Sequence, residues 1–395
     1  MNKNGLSKLL LDKYSRLIIL FLIVTTLSLL RPGSFFTWQN ISTVMFQQVP
    51  FTILMSFGMT FAIITRGIDK SMGSVLVISS IVAADAIKSD ALLLGIAIAL
   101  SIGVFCGVIN GLLITKMGIH PFIATYGVDF VAIGVAYVYT GGVSVYGFPD
   151  SFRDLCRGVV PWANYAAITT LIFVLLHVVM VGTPLGKRLF PARGESVSEE
   201  EGVPGVKKPV NLVMSSIVNG ILAVVLGMSV MQVMEPVLPN LAVITFFIFI
   251  ILHILTAKTN FGRRMYSAGF NEEATALSGN NVHNTIIIVY IINGLLAASA
   301  GLLYMARLNA ADPNISGNFT LDSIAAALVG GSSFGGGKGT VGNAVVGALI
   351  IVFIRNGMNI MGVHATWQQT AIGFIILFSI LLEAATRRIL ARLDK

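Results

Sequence analysis

Long apolar stretches, separated by short polar or basic segments, run along the chain from end to end. A transmembrane helix needs about 20 mostly apolar residues. By this criterion the sequence predicts an all-α fold, a polytopic transmembrane bundle of about twelve spans. The predicted spans lie at 17–31, 43–64, 72–87, 91–115, 121–141, 164–182, 211–231, 241–257, 286–305, 322–335, 341–361 and 367–386. The spans at 72–87 and 322–335 are short or carry glycine, so we expect them to be broken or re-entrant.

A tandem repeat occupies the middle of the chain. The segment F-V-L-L-H at 173–177 aligns with F-I-I-L-H at 249–253. The two copies extend over about 166–231 and 242–305, and each is predicted to be a helix, a basic loop and a second helix. Because internal repeats are a common way to build transporter folds, the repeat favours a transporter. We interpret residues 1–395 as a single transmembrane domain.

Composition and charge exclude a soluble globular domain. Hydrophobic residues make up 55% of the chain and charged residues only 11%, against about 25% charged residues in soluble domains. The net charge of +8 comes from short basic clusters between apolar runs, which is typical of membrane proteins and not of nucleic-acid binding. These bases concentrate in alternate loops. The bias predicts that both termini and the loops at 184–209 and 258–283 are cytoplasmic.

Two glycine patterns have structural explanations. Residues 337–342 match G-x-G-x-x-G, but no strand precedes them, so they predict a glycine-rich break between spans and not a nucleotide site. Gly103, Gly107 and Gly111 recur every four residues, which predicts close packing of one helix face.

Metal-binding and catalytic patterns are sparse. We place Cys106 in a helix and Cys156 in a loop, so neither a disulfide nor a metal site is expected from the cysteines. The five histidines are scattered along the chain. We therefore expect no catalytic residue, no cofactor and no metal.

Polar residues inside the predicted spans are the remaining candidates, because they are costly in lipid and face either a pathway or another helix. Asn356 and Asn359 lie toward the outer end of one span, and Trp367 and Gln368 open the next. Amides beside an aromatic ring suit a polyhydroxylated solute in a transport pathway. Interhelical hydrogen bonding with an interfacial aromatic anchor explains them equally well. Asp129 is either a proton or cation site or the partner of a neighbouring base, and pairing is favoured.

Three segments in combination resemble the permease subunits of ATP-binding-cassette importers for ribose, galactose and xylose. Residues 67–74, G-I-D-K-S-M-G-S, are similar to the G-I-D-L-S-V-G-S signature of that family. Residues 271–279 resemble its cytoplasmic coupling loop, N-x-E-A-A-x-x-S-G. Residues 321–337 resemble its C-terminal glycine-rich segment. The resemblance extends from about residue 38 to residue 382.

This resemblance implies a mechanism. An extracytoplasmic solute-binding protein would deliver a monosaccharide to a pathway between this permease and a second copy or paralogue. Separate ATPase subunits would hydrolyse ATP, so the chain itself would not be an enzyme. The implied location is the bacterial plasma (inner) membrane, multi-pass and in contact with lipid, with no nucleic-acid partner. The signature turn would comprise Gly67, Asp69, Ser71 and Gly73, and the ATPase-coupling loop Asn271, Glu272, Glu273, Ala274, Leu277, Ser278 and Gly279.

Some residues depart from the family pattern and leave alternatives open. Lys70 stands where leucine is usual, and Asp129 where an apolar residue is usual. The same machine could import a nucleoside, a signalling furanose or a branched-chain amino acid. An ion-coupled secondary transporter using Asp129 is the alternative of another class. Of the two repeat loops, only 271–279 has an N-cap, helix formers and a closing glycine, so we expect the ATPase to engage it and not 191–209.

Overall fold

The computed structural model describes residues 3–159 and 239–393, and in these ranges the chain forms fourteen α-helices. Several sequence predictions fall outside the described residues. They are the spans at 164–182 and 211–231, and the loop at 184–209 with its segment 191–209. The first repeat copy is outside the description for the same reason.

The helices and strands of the described ranges have the following bounds. The helices are α1 Lys3–Leu30, α2 Trp38–Thr43, α3 Val49–Ile64, α4 Met72–Lys88, α5 Leu92–Thr115, α6 Pro121–Thr140, α7 Asp150–Arg157, α8 Asn240–Lys258, α9 Asn260–Phe270, α10 Glu272–Leu277, α11 Val282–Leu308, α12 Ser316–Val329, α13 Val341–Ile360 and α14 Ala365–Leu393. A π-helical turn, Val44–Gln48, joins α2 to α3, and a 3-10 turn, Pro313–Ile315, precedes α12. The strands β1 Val145–Tyr146 and β2 Ala310–Ala311 pair antiparallel.

The polytopic all-α fold is confirmed. Six helical segments are long and apolar enough to cross a membrane: Trp38–Ile64, α5, α6, α8, α11 and α13. Shorter apolar stretches lie in α1 and α14. The two segments expected to be broken form helices that are also short, with 17 residues in α4 and 14 in α12.

The predicted bounds of one span are wrong. The span expected at 322–335 is helical only as α12, which begins at Ser316 and ends at Val329. Gly330 follows as the cap, and Gly331 has a positive φ of 88°, which ends the helix. The residues from 330 to 340 form a glycine-rich loop instead of a continued helix.

Direct backbone contact between α5 and α11 organises the core of the bundle. A Cβ atom at Gly103 would collide with the carbonyl oxygen of Gly294, and one at Gly107 would collide with that of Tyr290. The predicted close packing of this glycine face is therefore confirmed. Helix α11 also contacts α3 and α4, so it lies at the centre of the described bundle.

Loops that are distant in the chain meet at two ends of the bundle. At one end, the residues after α3 contact the end of α9 and the glycine-rich loop. At the other, β1 pairs with β2, and the guanidinium of Arg157 donates to the carbonyl oxygen of Arg307 at 2.6 and 2.9 Å. This grouping agrees with the alternation of loops deduced from the basic residues.

Two local predictions need correction. Cys156 lies in α7 and not in a loop, because Phe152 and Cys156, four residues apart, form the buried face of that short helix. Both cysteines are free and buried. In the second repeat copy, the predicted basic loop is mostly helical. It consists of α9, which carries Arg263 and Arg264, and α10.

Candidate functional site

Residues 67–73, here called the signature turn, comprise the end of the turn after α3 and the first two residues of α4, and they are built around the buried carboxylate of Asp69. Its Oδ1 accepts hydrogen bonds from the backbone N–H of Ser71 at 3.0 Å and from the Ser71 hydroxyl at 2.7 Å. Its Oδ2 accepts from the side-chain amide of Asn293 at 3.2 Å. The Ser71 hydroxyl accepts in turn from Asn110 at 2.8 Å. A buried carboxylate is tolerated only with such partners, so this chain of hydrogen bonds ties the turn to both α5 and α11.

The two glycines of the signature turn allow close contact with neighbouring helices. A Cβ atom at Gly67 would collide with the hydroxyl of Tyr290, and one at Gly73 would collide with the carbonyl oxygen of Ser316. The backbone N–H of Gly73 donates to the hydroxyl of Thr320 at 3.1 Å. The turn is therefore packed against α11 on one side and against the start of α12 on the other.

The segment 271–279 has the local structure that its sequence predicts. The side chain of Asn271 caps α10 by accepting a hydrogen bond from the backbone N–H of Ala274 at 2.9 Å. Gly279 ends the segment with a φ of +82°. Thr275 is the one buried residue of α10, and Leu277 leaves 83% of its surface exposed. Glu272, Glu273, Ala274 and Ser278 are exposed as well. The short helix thus leaves nearly its whole circumference exposed.

Arg66, just after α3, forms hydrogen bonds to the end of α9, the helix that precedes α10. Its Nε donates to the carbonyl oxygens of Gly269 at 2.8 Å and Gly335 at 3.0 Å, and its Nη2 donates to that of Phe270 at 2.6 Å. The backbone N–H of Gly337 donates to the carbonyl oxygen of Ile64 at 2.8 Å. In the sequence, Arg66 stands out only as one of the basic residues on the predicted cytoplasmic side. Because its acceptors are backbone carbonyls far away in the chain, no sequence pattern indicates this role.

Two open cavities flank α10. One, of about 550 Å³, lies toward the start of α11, and the other, of about 460 Å³, lies toward α9. Tyr266 lines the second cavity, and its hydroxyl donates to the carbonyl oxygen of Gly339 at 2.7 Å. Burial raises the pKa of Tyr266 above its ordinary value, so the phenol stays protonated and keeps this bond. The exposed helix is therefore flanked by a concave surface on each side.

The four candidate pathway residues fall into separate groups at the other end of the bundle. Asn356 is buried and exchanges two hydrogen bonds with Asn40, at 2.9 and 3.0 Å. Gln368 is also buried and donates to the side chain of Asn359 at 2.7 Å. Trp367 leaves 68% of its surface exposed. The structure therefore brings Asn359 and Gln368 together, but pairs Asn356 with a residue that the sequence did not single out.

Two ion pairs lie among the apolar helices. Lys70 Nζ is 3.0 Å from Asp129 Oδ2, which confirms that Asp129 pairs with a neighbouring base. Arg355 Nη2 is 2.6 Å from Asp322 Oδ1 and joins α13 to α12. Across the described residues, no group of three or more His, Cys, Asp or Glu side chains is placed to hold a metal ion.

Comparison with known proteins gives a consistent result along the chain. The family described as "Branched-chain amino acid transport system / permease component" matches at residues 40–239 and 205–380. The ribose import permease of Escherichia coli K12 is 32% identical over 93% of this chain and 91% of its own length. The D-allose transport permease of the same organism is 31% identical over 94% of this chain and 91% of its own. The xylose transport permease of the same organism is 29% identical over 98% of this chain and 95% of its own length. No solved structure shows significant similarity to the chain.

Proposed function

Because the chain belongs to the family of permease components of branched-chain amino acid transport systems, we propose that it is the permease subunit of an ATP-binding-cassette importer for a monosaccharide. The three relatives are named as permeases for ribose, allose and xylose, and each is matched over at least nine-tenths of its length. Similarity of this extent to three sugar permeases is the observation that carries the proposal. The branched-chain amino acids remain the alternative solute for the same machine.

In this proposal α10 receives the ATPase subunit. The support is its exposure, with Leu277 almost fully accessible and Glu272 and Glu273 beside it, and the cavities on both of its sides. A short rigid helix docked in a partner's groove transmits displacement well. Arg66 connects that displacement to the end of α3, one residue before the signature turn. ATP would be hydrolysed by the partner and not by this chain.

The solute would pass between this subunit and a second copy or paralogue, after release from an extracytoplasmic binding protein. Asn359, Trp367 and Gln368 are proposed to contact the solute near the outer end, since amide donors and acceptors match sugar hydroxyls. Asn356 is proposed to contribute there by exchanging its bonds with Asn40 for bonds to the solute. Both termini are proposed to lie in the cytoplasm, and the membrane to be the bacterial plasma (inner) membrane.

Transport by the complete importer tests the proposal. Proteoliposomes that contain the chain with its ATPase subunits and binding protein are expected to take up at least one of labelled D-ribose, D-allose or D-xylose, and only when ATP reaches the ATPase. Glu273→Lys is expected to abolish this uptake without lowering the amount of permease, because it replaces one of the two carboxylates of α10 by an ammonium group and so cancels the negative charge of this helix. Uptake that follows a proton gradient and ignores ATP would contradict the proposal and favour a secondary transporter.

A photo-cross-linker locates the ATPase contact. Placed at Leu277, the exposed end of α10, it is expected to capture the ATPase subunit. Placed at Val143, which is also exposed but lies beside β1 at the other end of the bundle, it should not. Capture from the second site alone would show that the ATPase binds the opposite face.

A further inference from the structure

Within the described residues, the ion pair between Lys70 and Asp129 leaves hydrogen-bond donors of Lys70 and one acceptor of Asp129 available. Asp129 Oδ2 accepts one bond from the ammonium, whereas Asp129 Oδ1 accepts none from any residue of 3–159 or 239–393. The Lys70 ammonium has two further protons, and its nitrogen lies 5.7 Å from the ring centre of Tyr126. Lys70 and Asp129 leave 23% and 14% of their side chains exposed. Donors and an acceptor thus remain available beside an aromatic ring.

Helix α6 has two exposed flanks of different chemistry. One flank carries Phe122, Tyr126 and Phe130, spaced by four residues, with Asp129 adjacent. The rings of Phe122 and Tyr126 are stacked with centres 5.6 Å apart, and Tyr126 meets Phe130 edge-on at 4.7 Å. The other flank is aliphatic, with Val131 and Val138 exposed by 67% and 86%. Because lipid tails favour the aliphatic flank and disfavour a charged pair, the two flanks have different surroundings in the membrane.

From this contrast, we propose that Lys70, Tyr126 and Asp129 form a solute-contact site for a polyhydroxylated compound on the translocation pathway. The ammonium donates to one hydroxyl, the free carboxylate oxygen accepts from another, and the ring of Tyr126 packs against the C–H face of the sugar. The site rests on the proposed transport function and deepens it, because it names side chains that distinguish one solute from another.

Coupling to the ATPase follows from the position of Lys70 in the chain. Its backbone N–H donates to the Thr125 hydroxyl at 3.0 Å, which fixes the signature turn against α6. Lys70 also follows Asp69, which is bonded to α11, and lies four residues after Arg66, which is bonded to α9. A displacement of α10 that moves Arg66 therefore reaches the site through one short stretch of backbone. Solute binding and ATPase docking would be linked by this stretch.

A double variant in which the two charges are exchanged distinguishes a solute-contact site from a purely structural ion pair. In the double variant Lys70→Asp, Asp129→Lys, the two charges can still pair, so the assembled complex should form in wild-type amounts with the wild-type midpoint of thermal unfolding. Uptake is measured in the proteoliposome assay with labelled D-ribose, D-allose and D-xylose. We expect KM for the best of these sugars to rise about tenfold or more, because donors and acceptors have changed places. Tyr126→Leu should also raise KM, and Val131→Ala on the aliphatic flank should not.

Each result has a defined meaning. Wild-type KM values for all three sugars in the charge-exchanged variant would overturn the site and leave the pair as a structural contact. Loss of the assembled complex in that variant, with wild-type KM in Tyr126→Leu, would also overturn the site, because it places the pair in a subunit interface. A wild-type importer that takes up none of the sugars with ATP would instead refute the proposed function.

Discussion

At the scale of single residues, the strictest constraints fall on positions where two backbones touch. Gly294 is the clearest case, because a Cβ atom there would collide with the carbonyl oxygen of Gly103 on the facing helix. Neither helix can relieve this contact by changing a rotamer, since the nearest atoms belong to the backbone. The position therefore tolerates no side chain without separating α5 from α11.

We predict that Gly294→Ala lowers the midpoint of thermal unfolding of the purified permease, by an amount equivalent to about 1–3 kcal/mol of overpacking. Gly134→Ala is the matched control, because Gly134 is also helical but has open space around its Cβ position. Its midpoint should stay the same or rise slightly, since alanine favours helix more than glycine does. Equal midpoints for the two variants would show that the helices separate freely.

For most of these contacts, the sequence predicts one of the two residues but not its partner. The spacing of Gly103, Gly107 and Gly111 predicts a close-packed face, but nothing in it identifies α11 as the partner. Asp129 was expected to pair with a base, yet Lys70 lies 59 positions away in the chain and was noted only as unusual. Such partners are set by the fold of distant segments, which a local pattern does not encode.

At the scale of single elements, α10 is the short helix on which ATPase coupling is proposed to depend. A helix of 6 residues has little stability of its own and relies on its cap. The cap here is the side chain of Asn271, and the contact with the rest of the bundle comes from buried Thr275. The geometry of the docking helix therefore depends on one amide side chain.

Removal of this cap should weaken coupling without affecting the membrane fold. Asn271→Ala is expected to destabilise α10 by about 1 kcal/mol, since a cap residue accepts an otherwise unpaired backbone N–H. ATP-driven uptake should then fall several-fold while the amount of permease in the membrane stays constant. Asn271→Asp keeps the acceptor and should retain most of the uptake. Equal uptake by both variants would mean that the cap plays no part in coupling.

Long apolar helices were predicted well, and short or polar ones less so. The spans at 91–115 and 121–141 agree with α5 and α6 within one residue at each end. The predicted basic loop covers α9, because Arg263 and Arg264 stand out in the sequence there. The signal of a helix is nevertheless present, since Thr259 caps it and Gly262, Met265 and Ala268 form its buried face at helical spacing. Tertiary contacts complete such helices, whereas hydropathy alone detects only the membrane-crossing ones.

At the scale of the whole molecule, the two ends of the bundle are distinct surfaces. One holds α10, Arg66 and the glycine-rich loop, and the other holds α7 and the two-stranded sheet. The basic residues predict which end is cytoplasmic, and contacts between loops agree with the grouping but do not orient it. Orientation comes from the charge bias acting during membrane insertion, which a folded structure does not record.

Cysteine labelling from outside intact cells tests this orientation. Ser151→Cys in α7, which is exposed, should react with a membrane-impermeant maleimide, whereas Leu277→Cys should react only after permeabilisation. The native cysteines should give little background. Both are buried, and burial raises the pKa of Cys156 to about 12, so the reactive thiolate is scarce at neutral pH. Labelling of Leu277→Cys in intact cells would reverse the assigned sides.

The backbone contact between α5 and α11 also limits how the permease can change shape. Two helices that contact each other through long side chains can slide past each other, because the side-chain rotamers adjust as the helices move. Where a glycine contacts a carbonyl group of the facing helix, there is no side chain that can adjust in this way. The hydrogen bonds of Asn110 and Asn293 to the signature turn constrain the interface further. The two helices and the turn therefore move as one rigid body. In the proposed importer, the change of shape that moves the solute across the membrane would therefore come from rearrangement around that body and not from bending within it.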